Sequence, residues 1–229
     1  MEKKLCSKVT CYRMHILGYK IQQFYGGKGC FFFEGLYRQV NRQALAPFFR
    51  PWLHRKGLVL DAGSGSGHLA EAMGVSNACF LDFTWEQIKR CQDKGGPGRF
   101  IQSDIQQLPF QDNIFDEVIC SNVLHYTESA CLKELIRVTK PGGQLLLAFL
   151  ESSELTHTGT NLGVFWGMFP QLMRDARLID LKELDQPNIQ ILDSATVVFL
   201  PPFFQASRKL PRQGLVAYVL KKLGKDFNC

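Results

Sequence analysis

Ten residues constrain the fold more than any others: Leu58-Val59-Leu60-Asp61-Ala62-Gly63-Ser64-Gly65-Ser66-Gly67. The apolar start predicts a buried strand that ends at an acid. Three alternate glycines follow; lacking Cβ, they accept positive φ and let a ligand lie against the backbone. His68-Leu69-Ala70-Glu71-Ala72-Met73 then predicts the start of a helix. Strand, glycine turn and helix make the ligand cradle of open α/β folds. Such a pattern gains weight when an acid ends the next strand. Ala78-Cys79-Phe80-Leu81-Asp82-Phe83-Thr84 supplies it in Asp82, about 20 residues on, where a carboxylate can accept from both ribose hydroxyls.

The strand pattern continues. Arg99-Phe100-Ile101-Gln102-Ser103-Asp104-Ile105 predicts a third strand ending at Asp104, and Phe115-Asp116-Glu117-Val118-Ile119-Cys120-Ser121-Asn122 a fourth. A fifth, Gly143-Gln144-Leu145-Leu146-Leu147-Ala148-Phe149, follows the expected turn Lys140-Pro141-Gly142-Gly143. Helices are expected over 37–50, broken near Pro47 and Pro51, over 85–91 with Thr84 as N-cap, and over 128–139. Dinucleotide folds usually carry Gly-x-Gly-x-x-Gly, which aims a helix N-terminus at pyrophosphate. This chain has Gly-x-Gly-x-Gly with an acid two residues earlier, and the ligand implied is a zwitterion without phosphate.

Over residues 58–150 the chain resembles the class I S-adenosylmethionine-dependent methyltransferases, in the small-molecule (methyltransferase type 11-like) branch with the ubiquinone, menaquinone and biotin pathway enzymes. The resemblance rests on five ordered motifs: the glycine motif, Leu81-Asp82-Phe83-Thr84, Ser103-Asp104-Ile105 with Leu108-Pro109-Phe110, Phe115-Asp116 through His125, and Arg137-Val138-Thr139-Lys140-Pro141-Gly142-Gly143. It implies a Rossmann-like α/β fold: a seven-stranded, mostly parallel sheet with helices on both faces and an antiparallel last strand that makes a hairpin with the sixth. Ala195–Leu200 and 214–220 are the expected closing strands, with 178–184 competing for the sixth.

The resemblance also implies the cofactor, S-adenosylmethionine, with S-adenosylhomocysteine as product. Asp61 would orient the glycine loop and the methionyl amino group, and Gly63, Ser64, Gly65 and Gly67 would line it. Asp82 would accept from the ribose diol, Phe83 would pack on ribose or adenine, Asp104 would accept from the adenine amino group, and Ile105 would cover the base. Ser121 or Asn122 would approach the carboxylate or the sulfonium. Tyr25, Tyr37 and Arg42, before the first motif, are further cofactor candidates. The implied reaction is in-line displacement of methyl by an acceptor oxygen, nitrogen or carbon, with alignment and water exclusion as the protein's main contribution. His125 is the leading candidate for a general base, because an imidazole titrates near neutrality, and Tyr126 is the second. Phe165, Trp166, Met168 and Phe169 are candidates for an apolar acceptor pocket.

Length suits one α/β domain with an arm: residues 1–50 as a basic, aromatic arm and helix covering the site, and 51–229 as the catalytic domain, with 151–195 as an acceptor pocket or lid. No apolar run reaches the length of a membrane span, and no secretory signal is read. The eight cysteines are scattered without a C-x-x-C pair. That argues for buried thiols in a reducing, cytoplasmic compartment and for no metal site. The net charge of +6 is uneven: residues 1–28 and 205–229 each carry +5, and the middle carries −4. Basic ends suit solubility, RNA or a membrane surface. A small-molecule acceptor with an apolar or aromatic part is the leading expectation. An RNA or protein methyltransferase is the alternative, but Ser121-Asn122-Val123-Leu124-His125 lacks the Asn/Asp-Pro-Pro-Tyr/Phe run of many nucleic-acid amine methylators. A non-catalytic S-adenosylmethionine-binding module is the third.

Overall fold

The computed structural model describes residues 34–35, 38–54, 57–75, 77–95, 97–149, 179–199 and 213–224. Seven strands form one sheet: β1 (Val59–Ala62), β2 (Ala78–Asp82), β3 (Arg99–Gln102), β4 (Phe115–Ser121), β5 (Thr139–Phe149), β6 (Ile189–Phe199) and β7 (Gln213–Lys222). Their order is β3-β2-β1-β4-β5-β7-β6. The first five pair in parallel, while β7 runs antiparallel to both β5 and β6. This is the expected Rossmann-like arrangement. The strand order reverses between β1 and β4, and an open α/β sheet binds ligands outside the strand ends at such a point.

Strands buried on both faces read as continuous apolar runs, and every residue of β1 is buried. Along β5 the side chains alternate. Leu145, Leu147 and Phe149 pack with Leu60, Val118 and helix α4 (Ser129–Val138). Leu146 and Ala148 pack with Val59, Ile119, Leu45, Phe49 and Leu69 on the opposite face. That second face is covered by α1 (Ala46–Phe49), α2 (His68–Met73) and α3 (Trp85–Asp93). Among the described residues no helix is long and apolar enough to cross a membrane.

Three local expectations need correction. The helix expected to break near Pro47 and Pro51 instead runs through Trp52 by changing pitch. Proline lacks an N–H and its ring crowds the carbonyl four residues back. A π turn, Asn41–Leu45, precedes α1, with the Ala46 N–H reaching Asn41 O, and a 3-10 turn, Arg50–Trp52, follows it. The turn expected at Lys140–Gly143 is part of β5, carried as an irregularity in its pairing with β4, with Gly142 at φ +83°. The sixth strand starts earlier than expected, at Ile189; in the competing stretch, Leu181–Glu183 is a 3-10 turn while Ile179 and Leu184 fill the core.

Candidate active site

The ends of β1, β2, β3 and β4 bring the candidate residues together around the glycine turn. Gly63 and Ser64 donate their N–H groups to Leu81 O at 2.7 and 2.9 Å, which ties the turn to the end of β2. Gly65 N donates to Asp82 Oδ2 at 2.9 Å. Gly67, at φ +76°, opens α2, and its N–H donates to Ser64 O at 2.8 Å. The Ser64 hydroxyl donates locally to Gly65 O.

Gly63 and Gly67 are glycines for packing, Gly65 for access. A Cβ on Gly63 would lie 2.2 Å from Val123 Cγ2, and one on Gly67 would lie 2.6 Å from Cys91 Sγ. A Cβ on Gly65 would meet only Gln87 Oε1 at 3.8 Å, so that side of the turn faces open space.

Two carboxylates flank the turn. Asp82 holds Gly65 N through Oδ2 and the Thr84 N–H and hydroxyl through Oδ1. Burial still pushes its pKa up. Asp61 is 3% exposed, and its Oδ2 has no hydrogen-bond partner. Burial, then the nearby charge of Asp82, raises its pKa to about 7. A buried carboxylate without a partner is costly unless a cation arrives. This orphan oxygen beside a glycine turn open on one side fits a zwitterionic ligand that carries an ammonium group.

At the end of β3, Asp104 accepts from Gln106 N at 2.9 Å, and Ile105 is buried beside it. Phe83 and Trp85, flanking the end of β2, are 39% and 50% exposed. At the end of β4, Asn122 takes φ +60°, donates its N–H to Ala148 O and its side-chain amide to Ser121 Oγ. Arg42 forms an exposed pair with Glu71 of α2 at 3.2 Å. Tyr25, Tyr37, Phe165, Trp166, Met168 and Phe169 lie outside the described residues.

Two expected roles change. Thr84 precedes α3 but makes no side-chain cap; its hydroxyl is spent on Asp82. The Asp-x-Thr spacing was the available signal, since an Asp side chain readily binds the N–H two residues on. His125 and Tyr126 lie in the 3-10 turn Leu124–Tyr126, rings 4.1 Å apart. His125 is 3% exposed, its Nδ1 has no partner, and burial drives its pKa down to about 3. Such an imidazole is a weak proton acceptor at neutral pH. Sequence reasoning assigned nothing to His68, which is buried directly behind Gly67.

Residues 60–147 match the family model described as a methyltransferase domain. An uncharacterized protein of Methanocaldococcus jannaschii is 30% identical over 178 residues, covering 74% of this chain and 72% of that protein. A ubiquinone/menaquinone biosynthesis C-methyltransferase of Pseudomonas putida is 35% identical over 114 residues; the match spans 43% of this chain and 43% of that protein. Among solved structures, magnesium protoporphyrin IX methyltransferase of Synechocystis, with bound S-adenosylhomocysteine, superimposes with a TM-score of 0.61 at 20% identity, over 88% of this chain and 99% of that one.

Proposed function

This chain belongs to the methyltransferase domain family and is an S-adenosylmethionine-dependent methyltransferase, and from that premise we propose that it methylates a small-molecule acceptor with an apolar or aromatic part. The observation that carries the cofactor half is the unpartnered, buried Oδ2 of Asp61 beside Asp82. In this reading Asp61 takes the methionyl ammonium, and the Gly63–Gly67 backbone lies along the same portion. Asp82 accepts from the ribose diol, its carboxylate oriented by Gly65 and Thr84. Phe83, Asp104 and Ile105 receive the adenine, and Ser121 and Asn122 face the carboxylate or sulfonium.

The bound cofactor supplies a methyl group activated on a sulfonium. Alignment of the acceptor and exclusion of water fall to the protein. The burial of His125 argues against proton transfer through it, which leaves Tyr126 as the remaining candidate at the end of β4. The acceptor class is supported by Ser121-Asn122-Val123-Leu124-His125 and by the quinone-pathway relative. Residues 1–50 and 151–195 are the proposed cover and acceptor side, and a reducing, cytoplasmic setting goes with free, buried Cys79, Cys91, Cys120 and Cys131.

Calorimetry with S-adenosylhomocysteine tests the cofactor half. Asp82→Ala should weaken binding at least tenfold, about 1.4 kcal/mol; equal affinities remove Asp82 from the site. Mass spectrometry of cell extract incubated with labelled methyl donor tests the acceptor half. Label in a small apolar or aromatic product is expected. Label in RNA, with salt-dependent retention of RNA by the protein, would overturn it.

A further inference from the structure

His68 sits at a junction that the cofactor reading does not use. It is the first residue of α2, directly after Gly67, and is 7% exposed. Lys94 Nζ lies 2.9 Å from its Nδ1 and 3.0 Å from Glu71 Oε2. An ammonium has only donors, so Nδ1 must be the acceptor and the ring proton must sit on Nε2. Nε2 lies 3.6 Å from Glu34 Oε1, beyond hydrogen-bond reach and without another partner, and Glu34 lies 3.8 Å from Arg90 of α3. Glu71 closes the group by pairing with Arg42 of the π turn. Thus the segment before α1, the helix behind the glycine turn and the end of α3 meet at one imidazole. Val40 and Leu45 pack against Leu69 and Met73 in the same region.

We propose that His68 is a positioning residue: as a neutral ring that accepts from Lys94 and lies against Glu34, it seats residues 34–35 and 38–45 on α2 and fixes the glycine turn for cofactor binding. The proposal rests on the assignment of the glycine turn to the cofactor. Its logic is mechanical. Gly67 has no side chain with which to hold its own left-handed backbone, and Ser64 O depends on its N–H. Anchoring the next residue restricts the turn and lowers the ordering cost of binding.

The same geometry makes the seat sensitive to acid. The charged groups facing His68 are Glu71 on its own helix, Lys94 after α3, and Glu34 and Arg38 before α1. Burial, then Lys94 and Arg38, hold the imidazole below its ordinary range against the opposite pull of Glu34 and Glu71. Protonation at Nδ1 removes the acceptor for Lys94 and sets two cations against each other. Affinity for the cofactor should therefore fall in acid, at a pH lower than that at which a free imidazole protonates, because burial and Lys94 keep the ring neutral.

The test compares wild type, His68→Asn and His68→Phe for S-adenosylhomocysteine affinity from pH 8 to 5.5 and for amide exchange over 38–45 in the free protein. Asparagine offers an oxygen near the place of Nδ1 and does not titrate. At pH 8, His68→Phe should bind at least fivefold more weakly and exchange at least fivefold faster, with His68→Asn within twofold of wild type on both. Toward acid, wild type should lose more affinity than His68→Asn, whose side chain cannot take up a proton. Asp61 titrates in every variant, so only the difference between profiles counts. His68→Phe within twofold of wild type in both readouts, or superimposed profiles for wild type and His68→Asn, overturns the proposal. Should His68→Phe not fold, Lys94→Met on the exposed side of the contact carries the same expectations. Absence of binding by wild type overturns the cofactor reading instead, and the exchange comparison still decides the seat.

Discussion

At the scale of single residues, the glycine turn separates two demands that look alike in the sequence. Gly63 and Gly65 both adopt positive φ, at +71° and +52°. Only Gly63 is pressed against a neighbour, Val123. Gly63→Ala should therefore cost about 3 kcal/mol or more in thermal or denaturant unfolding, combining left-handed strain with overpacking. Val123→Ala should return part of that loss. Gly65→Ala should cost only about 1 kcal/mol of stability while weakening S-adenosylhomocysteine binding at least tenfold, because its methyl group projects into the open side of the turn. Asp61 gives a second residue-scale expectation. Its folded pKa of about 7 lies above the ordinary 3.8, so the native state prefers the neutral carboxyl. The free protein should lose stability as pH rises from about 4 through 7. Cofactor affinity should move the other way, rising through pH 7, because only the carboxylate pairs with an ammonium. Calorimetry at pH 6 in buffers of different ionisation enthalpy should register proton release that Asp61→Asn abolishes.

At the scale of elements, the parts legible in the sequence are those whose evidence is local. The run Leu58–Leu60 is apolar because β1 is covered on both sides, and the acid that ends β2 is followed within two residues by the Thr84 that helps hold it. The start of β6 lacked such evidence. As an edge strand it carries Gln190, Asp193 and Ser194 beside exposed Ile191, so no continuous apolar run announces it. Lys222 was illegible for a different reason. Next to Lys221 it reads as a solvated strand end, yet it is buried. Its Nζ donates to Ile136 O, Thr139 O and Asn113 Oδ1, each at 2.7 Å. Nothing near residue 222 in the chain discloses that the C-terminal carbonyls of α4 await a donor there. Lys222→Met should strand those acceptors and destabilise the fold by about 3 kcal/mol. Cofactor affinity of the remaining folded protein should stay within twofold of wild type, since the contact lies at the opposite end of β4 from Ser121. Glu117 poses a related case: it is buried with Oε2 unpartnered, Oε1 accepts from His54 N, and burial raises its pKa, a cost set by partners 63 residues away.

Across the whole molecule, the sheet sorts its tasks by strand end. The carboxyl ends of β1 to β4 carry the candidate site: Asp61, Asp82, Asp104 and Asn122 all come from there. The opposite ends carry ties such as Lys140 with Asp116, at 2.8 Å, and Asp116 with Leu58 N, at 2.8 Å. This division explains why five ordered motifs forecast the fold, while the burial of His125 and His68 stayed hidden. A motif records which residue follows which; burial is decided by what folds over it. The placement of β7 between β5 and β6 has a consequence for biosynthesis. Until residues 213–222 emerge from the ribosome, the flank of β5 stays unzipped and β6 has nothing to dock on. The nascent chain must then shelter a long sticky rim over that interval of synthesis, when chaperone capture matters most.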